Sequence, residues 1–204
     1  MTLLALIAFA YVCGSIPTGV WLARRRGVDP RDIGSGNIGA TNVARAAGKT
    51  AGFLTLAGDT LKGLVPVVIA AWLGIGDAGQ ALVALSAFAG HLFPCFLDFQ
   101  GGKGVAVSLG VLLGLAPLGM AIVVPIFLLT VGLTRYVSLG SLLAAAATPI
   151  VVMLLGYPTA TVLVALVMGI TIAYRHRDNI RRMRFGTEAR VGRRSSAFPD
   201  SGYA

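Results

Sequence analysis

Long apolar runs separated by short polar segments make up most of this chain of 204 residues. A helix needs roughly 20 mostly apolar residues to cross a bilayer. Runs close to or above this length lie at 3–23, 51–73, 81–99, 105–133, 137–155 and 159–174. Because these runs are continuous and do not alternate with polar residues, they are typical of helices rather than of a membrane β-barrel. We therefore predict an all-α integral membrane protein.

The composition supports this prediction. Hydrophobic residues make up 56% of the chain, charged residues make up 12%, and the mean hydropathy is +0.81. So few polar residues do not cover a water-soluble globule, and the chain holds no room for a separate soluble domain. We expect one membrane domain over residues 1–189 and a flexible, basic tail over residues 190–204. Cys13 and Cys95 lie within apolar runs and are interpreted as small packing residues.

The distribution of basic residues predicts the topology. The net charge is +9, and in a membrane protein such an excess marks the cytoplasmic side rather than a nucleic-acid partner. The run 105–133 is either one long helix or two short helices broken at Gly114 and Pro117. Two helices give seven transmembrane helices with the N-terminus outside and the C-terminus cytoplasmic, and the helix ends near Lys62, Lys103 and Arg135 then all lie inside. One helix would export Arg135 or the arginine-rich end of the chain, so we prefer seven.

The first polar cluster, residues 34–45, follows the first span and reads GSGNIGATNVAR. Its G-x-G-x-x-G spacing is not a dinucleotide-binding fingerprint, because a transmembrane helix rather than a strand precedes it. Glycines nevertheless expose backbone N–H groups, and a helix that starts after Gly39 presents its positive end to an anion. We favour an anion site over an ordinary flexible loop. Its candidate residues are Ser35, Gly36, Asn37, Gly39, Thr41 and Arg45.

The second polar cluster, residues 90–104, ends in a lysine surrounded by glycines. It is not a Walker loop, since Gly104 rather than Ser or Thr follows Lys103. A lysine at a helix start combines a point charge with free backbone amides, which favours a phosphate contact that includes Gly101 and Gly102. The alternative is a basic anchor that serves topology alone. His91 is interpreted as a residue that kinks or caps the third helix.

The third polar cluster, residues 176–188, directly follows the last span and reads HRDNIRRMRFGTE. Arg181, Arg182 and Arg184 are explained most simply as stop-transfer charges that touch anionic lipid. His176 and Asn179 are three residues apart and share a face of a continuing helix. Since topology needs neither a histidine nor an asparagine there, we select both as candidate site residues.

Two charges interrupt the second span. Asp59 and Lys62 are three residues apart, so we expect them to neutralise each other within the helix.

The residue inventory disfavours several chemistries. The eight acidic residues show no D-x-x-D grouping for Mg²⁺, and two histidines with two embedded cysteines offer no zinc set. No G-x-S-x-G segment for a serine nucleophile occurs. Cations and glycines remain, and they favour a site that binds one or more phosphates at the inner surface of a membrane bundle, next to a lipidic group.

The three clusters, read as GSGNIGATNVAR, GHLFPCFLDFQGGKGVAV and HRDNIRRMRFGTE, closely resemble the three motifs of the PlsY family in the same order. Members of this family are bacterial acyl-phosphate-dependent glycerol-3-phosphate acyltransferases. The resemblance runs from Leu3 to about Glu188. Gln100 stands where the family often has Lys, Val107 stands where it often has Thr, and the tail beyond Arg190 is additional.

The resemblance implies a reaction and a location. The 1-hydroxyl of glycerol 3-phosphate attacks the carbonyl of a fatty acyl phosphate, giving lysophosphatidic acid and inorganic phosphate, the first step of phospholipid biosynthesis. The active site would face the cytoplasm at the bacterial inner membrane, beside membrane lipid. We expect no cofactor, no metal and no nucleic-acid partner, and a monomer.

The resemblance also implies roles for individual residues. By similarity, the site is lined by Ser35, Thr41, Arg45, Lys103, Ser141, His176 and Asn179. Arg45 and Lys103 are expected to clamp phosphates, and Ser35 and Thr41 to hydrogen-bond oxyanions. His176 and Asn179 would orient the glycerol hydroxyl. Ser141, inside the sixth span, has a second reading as a small residue in helix packing.

Two questions stay open at the level of the sequence. The proton acceptor is either His176 or a substrate phosphate. The competing function is a small transporter of an anionic metabolite, which predicts a site near the midplane and an internal repeat, and we find no repeat. An acyl-CoA-dependent acyltransferase is a weaker alternative, because neither histidine belongs to an H-x-x-x-x-D motif.

Overall fold

A computed structural model describes residues 2–192, and every regular element within that range is an α-helix. In chain order the helices are α1 Thr2–Ser15, α2 Thr18–Arg24, α3 Ala40–Ala47, α4 Lys49–Trp72, α5 Asp77–Leu92, α6 Val105–Leu115, α7 Pro117–Thr134, α8 Val137–Leu154, α9 Thr159–Arg175 and α10 Arg177–Arg184. The predicted all-α class is confirmed for the described residues. Most of the predicted tail, residues 193–204, lies outside them.

Several helices are long and apolar enough to cross a membrane. Four segments meet this criterion by themselves, namely Thr2–Arg24, Lys49–Trp72, Pro117–Thr134 and Val137–Leu154. A fifth is obtained when α9 and α10, which are bent by 53° relative to each other, are counted as one span. Helix α6 has only 11 residues and is therefore about 17 Å long, well short of the bilayer core of about 30 Å. The chain is a multi-pass membrane protein whose helices differ widely in length.

The apolar run 105–133 is divided into two helices. The break is at Ala116, where φ is −146°, and Pro117 starts the next helix at a position that needs no backbone donor. The first helix, α6, is short as expected. The expectation of a short second helix was wrong, because α7 has 18 residues and continues through Pro125.

A buried lysine connects the first and second spans. Lys62 Nζ lies 2.9 Å from Asp59 Oδ1, and both side chains are buried. The same ammonium donates a hydrogen bond of 2.9 Å to the Ile16 carbonyl oxygen, which is exposed by the break between α1 and α2 at Pro17. The expected neutralisation is confirmed. Lys62 lies in the interior of α4 rather than near its end, so its expected contribution to topology was wrong.

Glycines allow the helices to approach one another closely. A Cβ atom on Gly63 of α4 would collide with the Val107 carbonyl oxygen, and one on Gly110 of α6 would collide with the Thr60 carbonyl oxygen. Such contacts between small residues are a main source of helix association in membranes. The packing of α6 on α4 fixes the start of α6, where the second polar cluster ends.

Replacing Gly110 by valine should destabilise the protein by about 1–3 kcal/mol or more, because the new side chain meets a backbone carbonyl that cannot move aside. Gly132→Val in α7 is the matched control, since no described atom other than its chain neighbours and the nearby backbone of α7 lies within 4 Å of its Cβ position. Thermal unfolding in detergent measures both variants. Equal unfolding midpoints would contradict the close packing of α4 and α6.

Candidate active site

One buried asparagine organises the loop that carries the first polar cluster. The Asn42 side-chain nitrogen donates to the carbonyl oxygens of Pro30, Ile33 and Asn37 at 2.7, 2.9 and 2.9 Å. Its side-chain oxygen accepts a hydrogen bond of 3.0 Å from the Ser35 N–H. A loop without regular structure therefore has a defined shape before any ligand binds.

Helix α3 begins at the edge of this loop. The Asn37 side-chain oxygen accepts from the Gly39 N–H at 2.8 Å, and Gly39 precedes the first helical residue with an extended backbone. No side chain caps the helix start, so its first N–H groups point outward with the positive end of the helix dipole. Thr41 and Arg45 follow on α3. The helix start predicted after Gly39 is confirmed, and the anion that it would face stays a prediction.

The glycine-rich segment before α6 packs directly against the end of α5. The Gly101 and Gly102 N–H groups donate to the carbonyl oxygens of Leu92 and His91, each at 3.2 Å. A Cβ atom on Gly102 would collide with the His91 ring. The expected free amides are therefore engaged at these two glycines. The buried His91 packs against the loop, and its expected role in kinking or capping the helix stays a prediction.

Lys103 belongs to a chain of alternating charged and polar groups. Its ammonium donates to the Asn179 side-chain oxygen. The Asn179 nitrogen donates to Glu188 Oε1 at 2.6 Å, and Arg182 Nε donates to Glu188 Oε2 at 2.7 Å. The second and third clusters thus meet at one point. Sequence reasoning missed Arg182 and Glu188, although Arg182 follows Asn179 by three residues and the shared helix face was a usable signal.

Burial and neighbouring groups shift the pKa values of Lys103 and Glu188. Burial lowers the pKa of the Lys103 ammonium to about 8, and the charge of Arg182 contributes in the same direction. Burial raises the pKa of the Glu188 carboxyl, but hydrogen bonds from Asn179 and Arg182 outweigh it and hold that pKa below its ordinary value. Near neutral pH, Lys103 is a cation whose hydrogen-bond partner is the neutral Asn179 amide, which suits the binding of an anion.

His176 is a buried, neutral imidazole. Its Nδ1 lies 2.8 Å from the Ile172 carbonyl oxygen. Because a carbonyl oxygen only accepts, the hydrogen-bond geometry assigns the proton to Nδ1 and leaves Nε2 as an acceptor. Burial lowers the pKa of His176 to about 4. Such a ring accepts a hydrogen bond from a hydroxyl at neutral pH but is a weak base.

A single cavity of about 1540 Å³ collects most of the predicted site residues. Its polar part includes ten of them, namely Ser35, Asn37, Gly39, Thr41, Arg45, Lys103, Gly104, Ser141, His176 and Asn179. Gly36 and Gly101 line an adjacent cavity of about 190 Å³, and Gly102 lines neither. Lys103 borders both cavities. Ser141 donates its hydroxyl to the Val137 carbonyl oxygen at 2.9 Å within α8, which fits its packing interpretation while it also faces the cavity.

The same cavity continues between apolar helices. Its deeper walls are formed by α6, α7, α8 and α9, with Leu112, Met120, Val123, Phe127, Thr148, Ala165 and Met168 among the lining residues. Within residues 2–192, no three His, Cys, Asp or Glu side chains are grouped to hold a metal ion. The arrangement can receive a polyanionic head at one end and a hydrocarbon chain at the other.

The sequence is similar to those of known proteins over most of its length. A profile of the family described as glycerol-3-phosphate acyltransferase matches residues 4–186. The glycerol-3-phosphate acyltransferase of Geobacter sulfurreducens is 53% identical over 187 residues, which cover 92% of this chain and 96% of that protein. The corresponding protein of Rubrobacter xylanophilus is 46% identical over 193 residues, covering 93% and 96%.

Solved structures are similar over nearly the whole chain. Crystal structures of PlsY (YgiH), an integral membrane glycerol 3-phosphate acyltransferase, match in a glycerol 3-phosphate form and a lysophosphatidic acid form. The TM-scores are 0.91 and 0.88, with 41% and 40% sequence identity. Each match covers 94% of this chain and 96% of the other.

Asn42→Asp should unfold the first cluster, because a carboxylate would face three carbonyl oxygens without a donor. The expected loss of stability is about 3 kcal/mol, from one buried and two half-buried hydrogen bonds at about 1 kcal/mol each. Asn37→Asp is the matched control, since Asn37 uses only its side-chain oxygen as an acceptor. Thermal unfolding in detergent compares the two, and equal losses would contradict the role given to Asn42.

Proposed function

The chain belongs to the glycerol-3-phosphate acyltransferase family, and on that premise we propose that it transfers a fatty acyl group from an acyl phosphate to the 1-hydroxyl of glycerol 3-phosphate. The products are lysophosphatidic acid and inorganic phosphate. The observation that carries this proposal is the single cavity in which cationic and polar groups meet an apolar passage between helices. The glycerol 3-phosphate and lysophosphatidic acid forms of the solved relatives support glycerol 3-phosphate as the acyl acceptor and lysophosphatidic acid as the product.

Arg45 and Lys103 are the proposed phosphate ligands. Both line the large cavity, and Lys103 also borders the smaller one, so one ammonium is positioned between two spaces for phosphate. The Ser35 and Thr41 hydroxyls and the start of α3 supply hydrogen-bond donors for phosphate oxygens. Gly36, Asn37, Gly39, Gly101, Gly102, Gly104 and Ser141 complete the proposed substrate-binding set. For Gly102, we propose an indirect contribution through packing.

The proposed chemistry is direct acyl transfer. The glycerol hydroxyl oxygen bonds to the acyl carbon, the bond from that carbon to the phosphate oxygen breaks, and inorganic phosphate leaves with the electron pair. An acyl phosphate is an activated mixed anhydride, so positioning and charge neutralisation supply the needed acceleration. The His176 Nε2 and the Asn179 amide orient the hydroxyl. A substrate phosphate accepts the hydroxyl proton, because His176 is too weakly basic.

We propose that the cavity opens towards the cytoplasm of the bacterial inner membrane. Seven spans, including the short α5 and α6, then leave the N-terminus outside and the C-terminus inside. The arginines at residues 24–26 and in α10 support this topology. They lie in the same two segments as many of the site residues, namely the segment after the first span and the segment after α9. Residues 1–189 form the proposed membrane domain, and residues 190–204 its basic tail.

The proposed function is tested by lysophosphatidic acid formation with purified protein in EDTA. Glycerol 3-phosphate is offered with palmitoyl phosphate or with palmitoyl-CoA, and Lys103→Ala gives the background. Turnover with the acyl phosphate alone is expected. Turnover only with the CoA ester would overturn the proposed donor, and a folded protein inactive with both donors would overturn the proposed function.

Substrate-assisted proton transfer predicts unequal effects at two site residues. Lys103→Ala should lower kcat/KM on the order of 1000-fold, since it removes charge stabilisation in a water-poor site. His176→Ala should cost about tenfold, less than the 100-fold or more typical of a general base. Steady-state kinetics with palmitoyl phosphate measure both. An equal loss in the two variants would contradict proton transfer to the substrate.

The lowered pKa of Lys103 predicts a pH dependence. As the pH rises through about 8, the free enzyme loses the ammonium that attracts the phosphate, so kcat/KM should fall about tenfold per pH unit. In Lys103→Arg the charge persists, and this fall should disappear. A wild-type profile that stays level to about pH 10 would contradict the lowered pKa of Lys103 in the free enzyme.

A further inference from the structure

Arg175, the last residue of α9, binds the backbone of another segment. Its Nε donates to the Gly102 carbonyl oxygen at 3.1 Å, and its Nη2 contacts the Gly102, Gly101 and Leu92 carbonyl oxygens at 2.8, 2.9 and 3.3 Å. The guanidinium also lies over the Phe93 ring, 5.9 Å from its centre. An arginine that served only as a topological charge would extend to solvent or lipid headgroups, whereas this one is half-buried and occupied.

The glycine segment is held from both sides. Its N–H groups bind the α5 carbonyl oxygens, and its own carbonyl oxygens bind Arg175. The segment has no regular secondary structure that would fix it otherwise. A planar guanidinium with several donors in a fixed geometry suits three carbonyl oxygens, whereas a lysine ammonium offers no such fork. The backbone immediately before Lys103 is thus placed by a side chain from α9.

The position of Arg175 in the chain adds a second constraint. His176 follows it directly, and Asn179, which receives the Lys103 ammonium, lies one turn further on. One short stretch of chain therefore places both the backbone that carries Lys103 and the partner of its side chain. Displacement of reacting groups by about 1 Å costs a reaction about 100-fold.

We propose that Arg175 is a positioning residue for the acyl transfer, acting through the Gly101–Gly102 backbone to hold Lys103 in place. This inference rests on the proposed function of Lys103 as a phosphate ligand. It assigns to Arg175 a role that the stop-transfer interpretation of the basic residues does not provide.

The test compares Arg175→Lys with Arg181→Lys. Both variants keep the charge, and Arg181 is exposed and borders neither cavity. Arg175→Lys should lower kcat/KM by about 10- to 100-fold, and Arg181→Lys should stay within about twofold. Hydrogen exchange, followed by mass spectrometry of peptides that cover residues 93–104, should be about tenfold faster in Arg175→Lys, with α4 and α7 unchanged.

Three outcomes would overturn the proposal. The first is unchanged exchange at residues 93–104 despite lost activity, and the second is activity in Arg175→Lys equal to that of the wild type. The third is faster exchange throughout the chain, which would indicate a general loss of stability. The exchange measurement needs no substrate, so it distinguishes a failed anchor from a failed proposed function.

A second variant displaces the same loop while Arg175 is intact. Gly102→Ala places a Cβ atom against the His91 ring, and it should reproduce the loss of activity and the faster local exchange. This variant tests whether the placement of the loop controls Lys103, the step through which Arg175 is proposed to act. Wild-type kcat/KM in Gly102→Ala with a displaced loop would contradict the claim that loop placement controls Lys103.

Discussion

The hydrogen bond between the Lys103 ammonium and the Asn179 side chain is the interaction on which the site depends. It joins two segments that are 76 residues apart in the chain. Each partner is held by others, because Asn179 is fixed by Glu188 and Lys103 follows a loop packed on the end of α5. A partly buried ammonium with an amide partner keeps its full charge, which the proposed function uses for an incoming phosphate.

The same site lies where cationic groups meet an apolar passage. A phosphate would not enter a hydrocarbon environment without cations, and an acyl chain would not enter a polar one. The cavity meets both requirements, because Arg45, Lys103 and the start of α3 line one part of it and the apolar walls of α6 to α9 line the other. The short α6 is consistent with this division, because it starts directly after the glycine loop that carries Lys103 and continues as part of the apolar wall.

Much of this arrangement could be predicted from the sequence, and its limits have physical causes. Continuous apolar runs predicted the helices, and the spacing of Asp59 and Lys62 predicted their pair, because both depend on local geometry. The engaged amides of Gly101 and Gly102 could not be predicted, since their acceptors are carbonyl oxygens presented by another helix. Arg175 and Arg182 were missed because positive-inside topology accounts for any arginine at a helix end.

The central claim, that one cavity holds the phosphates and the acyl chain together, is tested most directly by photolabelling. An acyl phosphate with a diazirine at the end of its chain is bound to the protein in detergent, irradiated, and the labelled residues are located by mass spectrometry. We predict labels at the deep cavity residues, such as Met120 and Thr148, that disappear when excess lysophosphatidic acid is added. Labels confined to exposed residues that do not line the cavity, such as Leu4 and Trp72, would contradict the account.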